Sequence, residues 1–238
     1  MILLTGGSGF IGGNLKKTFD NIMAPTHKEL DLTDIHQVMG FIEIYKPTNI
    51  IHCASSYDFG KDIKMFYNLY SQNIPMIYFG SGAEGRLDDY GMSREIMNSL
   101  ASNSRHTTNL KLYGCFGDGE QEDRFISRCI FYKHAGLILD IHKDKHFSYV
   151  YIKDLCKIVK IVLDKGSIFP SYEISCDEMP LLSEIAEMVG VKYRVIGTGE
   201  DYGYISYSFK RDYGFKFTPL KEAIEDYEAS WTADVQAD

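Results

Sequence analysis

The sequence predicts an α/β fold, a doubly wound parallel sheet with a small C-terminal lobe, and three observations carry that expectation. Apolar runs of strand length alternate with amphipathic segments of helical period from residue 2 to residue 175, the pattern of right-handed β-α-β crossovers. The first run, Ile2-Leu-Leu-Thr5, passes through closely spaced glycines into a helical segment. From Met179 the alternation gives way to a helix (Leu181 to Val189), a strand (Lys192 to Val195), a stretch rich in tyrosine and glycine, and a helix from Pro219 to Trp231. The expected domains are therefore residues 1–178, with 116–140 contributing to the substrate side, and a small lobe at 179–238.

Composition fits one such domain with an appendage. The chain has 238 residues, 45% hydrophobic and 24% charged, enough to bury a sizeable core. Its five cysteines are scattered without a Cys-x-x-Cys pair, which suits reduced packing residues rather than a disulfide or zinc framework. The net charge of -8 argues against a nucleic-acid surface. No stretch approaches the roughly 20 apolar residues of a membrane span, and Met1 leads directly into the first strand, so a cytoplasmic protein without a membrane partner is expected.

Gly6, Gly9 and Gly12 fall three apart between the first strand and the first helix. The first glycine permits a tight turn, the second lets a pyrophosphate approach the backbone, and the third lets helix and strand pack closely. The helix start beyond them, at Phe10 and Ile11, aims unpaired N–H groups and a positive dipole end at the phosphates. The expectation is a Rossmann-type dinucleotide site. A second strand at Asn21 to Pro25 leads to Thr26, His27 and Lys28, where an NAD-specific site usually carries an acid for the ribose 2′-hydroxyl. Cations there favour NADP(H) over NAD(H). Asp31 and Leu32 are placed to bracket the adenine, and Asp34 also reads as a helix N-cap.

A helix at Ile35 to Tyr45 precedes a buried strand at Asn49 to Ala54, whose small residues Cys53, Ala54 and Ser55 leave room for a cofactor against the backbone. His52 reads as a packed histidine. A helix at Lys61 to Gln72 and a strand at Ile74 to Phe79 lead to Gly80-Ser81-Gly82. In Asp88 to Leu100, Tyr90 and Arg94 stand four apart on one helical face. A fixed cation beside a phenol favours the phenolate and makes the group a better proton donor near neutral pH.

A strand at Asn109 to Tyr113, a loop to Glu120 and a helix at Asp123 to His134 follow. Gly136 to Ile141 and His146 to Tyr151 read as a hairpin whose charged tip carries His142 and His146, better explained by solvation than by a metal. A helix at Asp154 to Asp164 and a strand at Tyr172 to Ser175 close the domain.

With these stretches in hand, the chain resembles the extended short-chain dehydrogenase/reductase family, of the NAD-dependent epimerase/dehydratase type. The resemblance rests on Thr5 to Gly12, on Tyr90-Gly-Met-Ser-Arg94 in place of Tyr-x-x-x-Lys, on Tyr149-Val-Tyr-Ile-Lys-Asp-Leu155 and on Lys210-Arg-Asp-Tyr-Gly-Phe215. Glu29 to Asp34 is similar to the segment in NADPH-dependent reductases of 4-keto-6-deoxy sugar nucleotides. The resemblance implies hydride delivery from nicotinamide C4 to a sugar carbonyl, with Tyr90 as proton donor, Arg94 on the nicotinamide ribose and Ser81, or Gly82 by strict alignment, at the carbonyl. Where relatives grip the diphosphate with an arginine this chain has Phe147, so Arg124, Lys145 or Arg211 would substitute. It further implies a role in surface-polysaccharide sugar synthesis and a homodimer, with Met92, Ile96, Met97 and Leu100 facing either a partner or the chain's own sheet. An epimerase or dehydratase with tightly held cofactor, and a cofactor-binding regulatory subunit, are the alternatives.

Overall fold

Strand and helix alternate as the hydrophobic periodicity requires. The computed structural model describes residues 1–235, with side chains through residue 231. In chain order the first half contains β1 (Ile2–Thr5), α1 (Phe10–Thr18), β2 (Ile22–Met23), α2 (Ile35–Tyr45), β3 (Asn49–His52), α3 (Phe59–Tyr70), β4 (Met76–Tyr78), α4 (Asp89–Ser102) and β5 (Thr107–Leu112). Next come β6 (Cys115–Phe116), α5 (Phe125–His134), β7 (Ile138–Ile141), β8 (Val150–Tyr151), α6 (Ile152–Lys165) and β9 (Ser171–Ile174). Last are α7 (Leu182–Val189), β10 (Lys192–Val195), α8 (Ser208–Tyr213) and α9 (Leu220–Val235).

Six strands form the main sheet in the order β2-β1-β3-β4-β5-β9. β1 pairs in parallel with both β2 and β3, so the strand order reverses beside β1, and the crevice at the carboxyl ends of β1 and β3 is a topological switch point. Alternation along the strands sorts the core. Leu3, Ile50, Met76 and Tyr78 face one cluster with Val38 of α2, Phe66 and Leu69 of α3, and Met97 and Ala101 of α4. Leu4, Ile51 and Ile77 are buried on the opposite face. Met97 thus belongs to the chain's own core and Leu100 packs partly against it, leaving Met92 and Ile96 as the exposed apolar residues of the four. Aspartates cap three of these helices: Asp34 accepts from His36 and Gln37 N–H, Asp58 from Lys61 N–H and Asp88 from Gly91 N–H.

The chain forms two compact units, 1–111 with 158–172, and 112–157 with 173–235 among the described residues. This division is discontinuous, whereas the change in the strand–helix pattern suggests a single boundary at 178. Segment 112–157 groups with the C-terminal residues because its strands find their partners there or within itself. β7 pairs in parallel with β10, and β8 with β6, so Gly136 to Tyr151 is not the hairpin its charged centre suggests. Both pairings are parallel, which a short reversing turn cannot connect. α8 lies in the tyrosine- and glycine-rich stretch and has no apolar periodicity long enough to announce it.

In the second unit Asp154 is 1% exposed at the start of α6. Its carboxylate accepts from Thr218 N–H at 2.6 Å and Thr218 Oγ1 at 3.0 Å, and from Lys157 at 2.9 Å, fixing the segment that leads into α9. Asp154→Ala leaves the Thr218 N–H without its acceptor and is expected to cost about 1–3 kcal/mol, read as a lowered urea midpoint.

Candidate active site

The turn after β1 is shaped by contacts that only glycine allows. Gly6 has φ +71°, and a Cβ there would lie 2.6 Å from Ala54 N and 2.7 Å from Cys53 C, at the end of β3. A Cβ on Gly12 would lie 2.1 Å from Gly6 O, so α1 packs directly on the turn. Gly9 is different: a Cβ there would meet nothing closer than 3.5 Å. The protein's own packing does not require glycine at position 9, which is the position where a ligand's approach would.

Beside this turn, at the switch point, lies a cavity of about 790 Å³. That is the size of a cofactor site. It brings together Gly6, Gly9, His27, Lys28, Asp31, Leu32, Cys53, Ala54 and Ser55 from the sequence-based set. Phe10, Ile11, Gly12, Tyr90 and Arg94 do not line it: the first three form the first turn of α1, with Gly12 buried against Gly6, and the last two lie on α4. Lys16, Ser8 and Ser56 line it and were not anticipated. Lys16 lies on α1 two turns beyond Gly9, a spacing that the 3.6-residue period makes readable in retrospect.

Two acids near this cavity each use one carboxylate oxygen in a local turn. Glu29 accepts from Thr26 N–H and Oγ1, bonds that hold its carboxyl below the usual range. Asp31 Oδ1 accepts from Thr33 Oγ1 and N–H, with the same effect on Asp31.

Ser55 links the cavity to α4. Its hydroxyl accepts from Arg94 Nη2 at 2.7 Å and donates to Asp62 Oδ2 at 2.7 Å. Arg94 is 5% exposed; Nη2 also reaches Asp62 at 3.1 Å, and Nη1 donates to Tyr78 Oη at 3.1 Å. Burial alone would lower its pKa, but Tyr78, Tyr90 and Asp62 carry it above the ordinary value, so the group stays cationic. Its Cζ lies 4.7 Å from the centroid of the Tyr90 ring, in cation–π contact, and Tyr90 in turn stacks on Tyr57 at 6.0 Å. Tyr90 and Arg94 therefore meet as their i, i+4 spacing predicts. The terminal nitrogens expected for a ribose, however, already have protein partners.

Ser81 is 9% exposed and its Oγ accepts from Ala83 N–H at 3.1 Å; Gly82 beside it is half-buried and offers no hydroxyl. Nearby, Asn109 accepts from Gly80 N–H and donates to Asn98 of α4, and Glu84 pairs with Lys111 at 2.8 Å. Burial raises the Glu84 pKa, opposed by Lys111. Asn98, Asn109 and Glu84 are polar residues without a motif, so sequence reasoning had no reason to select them.

Arg124, Lys145 and Arg211 all belong to the second unit. Arg124 occupies the N-cap of α5, the Lys145 ammonium lies 5.3 Å from each of the Phe147 and Tyr202 rings, and exposed Arg211 pairs with Asp212. Glu120, also there, has its pKa pushed up to about 8 by burial, which Arg124 opposes only in part. No cluster able to hold a metal ion occurs among the described residues.

Among solved structures the chain is similar to a GDP-mannoheptose C4 reductase from Campylobacter jejuni with NADP bound, at a TM-score of 0.77 and 15% identity, covering 98% of each chain. It shares their fold. A dTDP-4-dehydrorhamnose reductase from Bacillus anthracis in complex with NADP gives 0.78 and 15% over 96% of this chain and 98% of the other. A dTDP-glucose 4,6-dehydratase from the same organism, in complex with NAD, gives 0.80 and 12% over 99% and 97%. No protein-family model matches the sequence, and no curated protein matches it. No helix among the described residues is long and apolar enough to cross a membrane.

His52 ends β3 behind this site, 2% exposed, with Nδ1 2.7 Å from Thr5 Oγ1. Burial, reinforced by Arg94, pushes its pKa down to about 3. The unfolded chain takes up this proton near 6.5, so protonation favours unfolding and stability falls as pH drops between those values. His52→Gln is expected to flatten that loss in a pH series of urea midpoints.

Proposed function

We propose that this chain is an NADP(H)-dependent oxidoreductase of the extended short-chain dehydrogenase/reductase type that reduces the carbonyl of a nucleotide-linked keto sugar. The observation that carries the reading is the hydrogen-bonded path from the cavity wall at Ser55 through Arg94 to the face of Tyr90. A dinucleotide fits the cavity beside the glycine turn by size and by the open approach over Gly9. Gly6, Gly9, Ser8 and the α1 N-terminus would hold its pyrophosphate, and Lys16, His27 and Lys28 the 2′-phosphate end. When bound, NADPH supplies the hydride.

The chain's residues supply the proton and the charge. Tyr90 Oη donates its proton to the carbonyl oxygen as negative charge develops there, and the Arg94 cation at its ring stabilises the phenolate left behind. Ser81 Oγ, which accepts from Ala83 N–H, keeps its own proton to polarise the carbonyl. Arg124, Lys145 and Arg211 are the candidates for the substrate diphosphate. The reading extends to a cytoplasmic enzyme supplying a sugar for a surface polysaccharide, and to a homodimer, for which the exposed Met92 and Ile96 of α4 are the support.

Tyr90→Phe is expected to lower turnover of a nucleotide-linked keto sugar by roughly 10²–10⁴ with NADPH affinity retained, measured by NADPH oxidation and by titration of its fluorescence. Unchanged turnover would remove Tyr90 from the reaction. The engagement of both terminal nitrogens of Arg94 favours a second reading, a dinucleotide-binding regulatory protein. Tight NADPH binding without oxidation across a panel of keto-sugar nucleotides is its signature. A sugar converted without net loss of NADPH absorbance marks an epimerase or dehydratase instead. Lys28→Glu is expected to reduce the preference for NADPH over NADH by about tenfold in the ratio of dissociation constants.

A further inference from the structure

Asp62 lies in the first turn of α3, where an acid suits the helix dipole and would ordinarily face water. Here it is 2% exposed. A carboxylate so buried is costly unless every lone pair is engaged, and these are: Oδ1 accepts from Ser56 N–H at 2.6 Å and Ser56 Oγ at 2.7 Å, and Oδ2 from Ser55 Oγ at 2.7 Å and Arg94 Nη2 at 3.1 Å. Its partners fall into two groups. Ser55 and Ser56 form part of the cavity wall, and Arg94 supports the ring of Tyr90. Between Ser56 and the α3 cap, Tyr57 adopts φ +59°, a left-handed conformation a tyrosine rarely takes, and its ring rests on Tyr90.

We propose that Asp62 is the positioning residue of this site, a single carboxylate that pins Arg94 against the Tyr90 ring and ties the Ser55–Ser56 wall of the dinucleotide cavity to the same helix. This rests on the reading of Tyr90 as the proton donor. One carboxylate thereby couples cofactor binding to the electrostatics of the phenol. The charged and titratable groups around that phenol include Arg94 on its own helix with Asp89 and the Arg86–Asp88 pair at that helix's start, Tyr57 in the loop after β3, Tyr78 on β4 with Glu84 beyond it, and behind Arg94 both Asp62 on α3 and the neutral His52 on β3. Asp62 is the anion bonded to Arg94, so it offsets part of the cation's field at Tyr90.

The test uses the full-length protein with NADPH as probe. Ionisation of residue 90 is followed by carbon NMR of ring-labelled tyrosine, with Tyr90→Phe identifying the signal. Asp62→Asn keeps the side chain's shape and removes its charge. With the anion's offset removed, Tyr90 is then expected to ionise at a lower pH than in the unsubstituted protein, and NADPH affinity to fall several-fold as the wall loses its acceptor. A purely structural Asp62 would lower the melting temperature and leave the Tyr90 titration where it is. An unmoved titration together with wild-type NADPH affinity would overturn the proposal. Should Asp62→Asn fail to fold, Asp62→Glu carries the test: charge is kept and reach altered, so weaker NADPH binding with a nearly unchanged titration supports the coupling, and unchanged binding refutes it. Neither readout needs turnover, so a Tyr90→Phe enzyme of normal activity would sink the proton-donor reading separately.

Discussion

The approach of α1 to the β1 turn is the constraint on which the cavity at the switch point depends. With 2.1 Å between a hypothetical Cβ on residue 12 and Gly6 O, the helix can lie where it does only if residue 12 has no side chain. That placement puts the α1 N-terminus beside the carboxyl ends of β1 and β3. The left-handed turn at Gly6 fits against Cys53 and Ala54 for the same reason. Two backbone contacts that exclude Cβ atoms thus create the crevice. Gly9 stands apart, because its own surroundings would tolerate alanine. Its demand for glycine arises only when something occupies the space above it.

A different economy governs the region beyond the cavity. Asp62 and Arg94 form a buried ion pair whose desolvation rivals its Coulombic gain, so hydrogen bonds decide whether it is tolerable. Asp62 meets this condition fully. Arg94 does not, since Nε is buried without a hydrogen-bond partner. Replacing the pair by apolar residues of like volume could match its stability, so its presence is better explained by what it fixes than by what it contributes to folding. It fixes a cation against the Tyr90 ring and a hydroxyl in the cavity wall.

Much of the fold was legible because parallel strands buried on both faces are short apolar runs, and their helices keep a clear period. α2 falls on its expected limits, and β1 and β3 within two residues of theirs. The glycine turn and the Tyr90/Arg94 pair were legible for the same reason: both are local, set by spacing along one element. Asp62 was not. In sequence it is an ordinary first-turn acid of an amphipathic helix, and only its contact with Arg94, 32 residues away, gives it meaning. The misreading of Gly136 to Tyr151 has the same origin. Two apolar runs around a charged turn look like a hairpin, and nothing local reveals that β7 and β8 pair elsewhere.

The proposed cofactor choice turns on local rather than global charge. A protein of net charge -8 presents an unfavourable field to a dinucleotide at long range. Charges separated by more than the Debye length of about 8 Å at physiological salt are largely screened. What a 2′-phosphate meets inside the cavity is therefore set by its lining, where the ammonium groups of Lys16 and Lys28 outnumber the one carboxylate, that of Asp31. Thr33 engages one oxygen of that carboxylate, Oδ1, twice, and Glu29 turns Oε2 onto Thr26, so part of each acid's hydrogen-bonding capacity is spent within the loop. The charge at this end of the cavity is thus two ammonium groups against one carboxylate partly engaged by Thr33, and that balance is the physical support for the proposed preference for a 2′-phosphate.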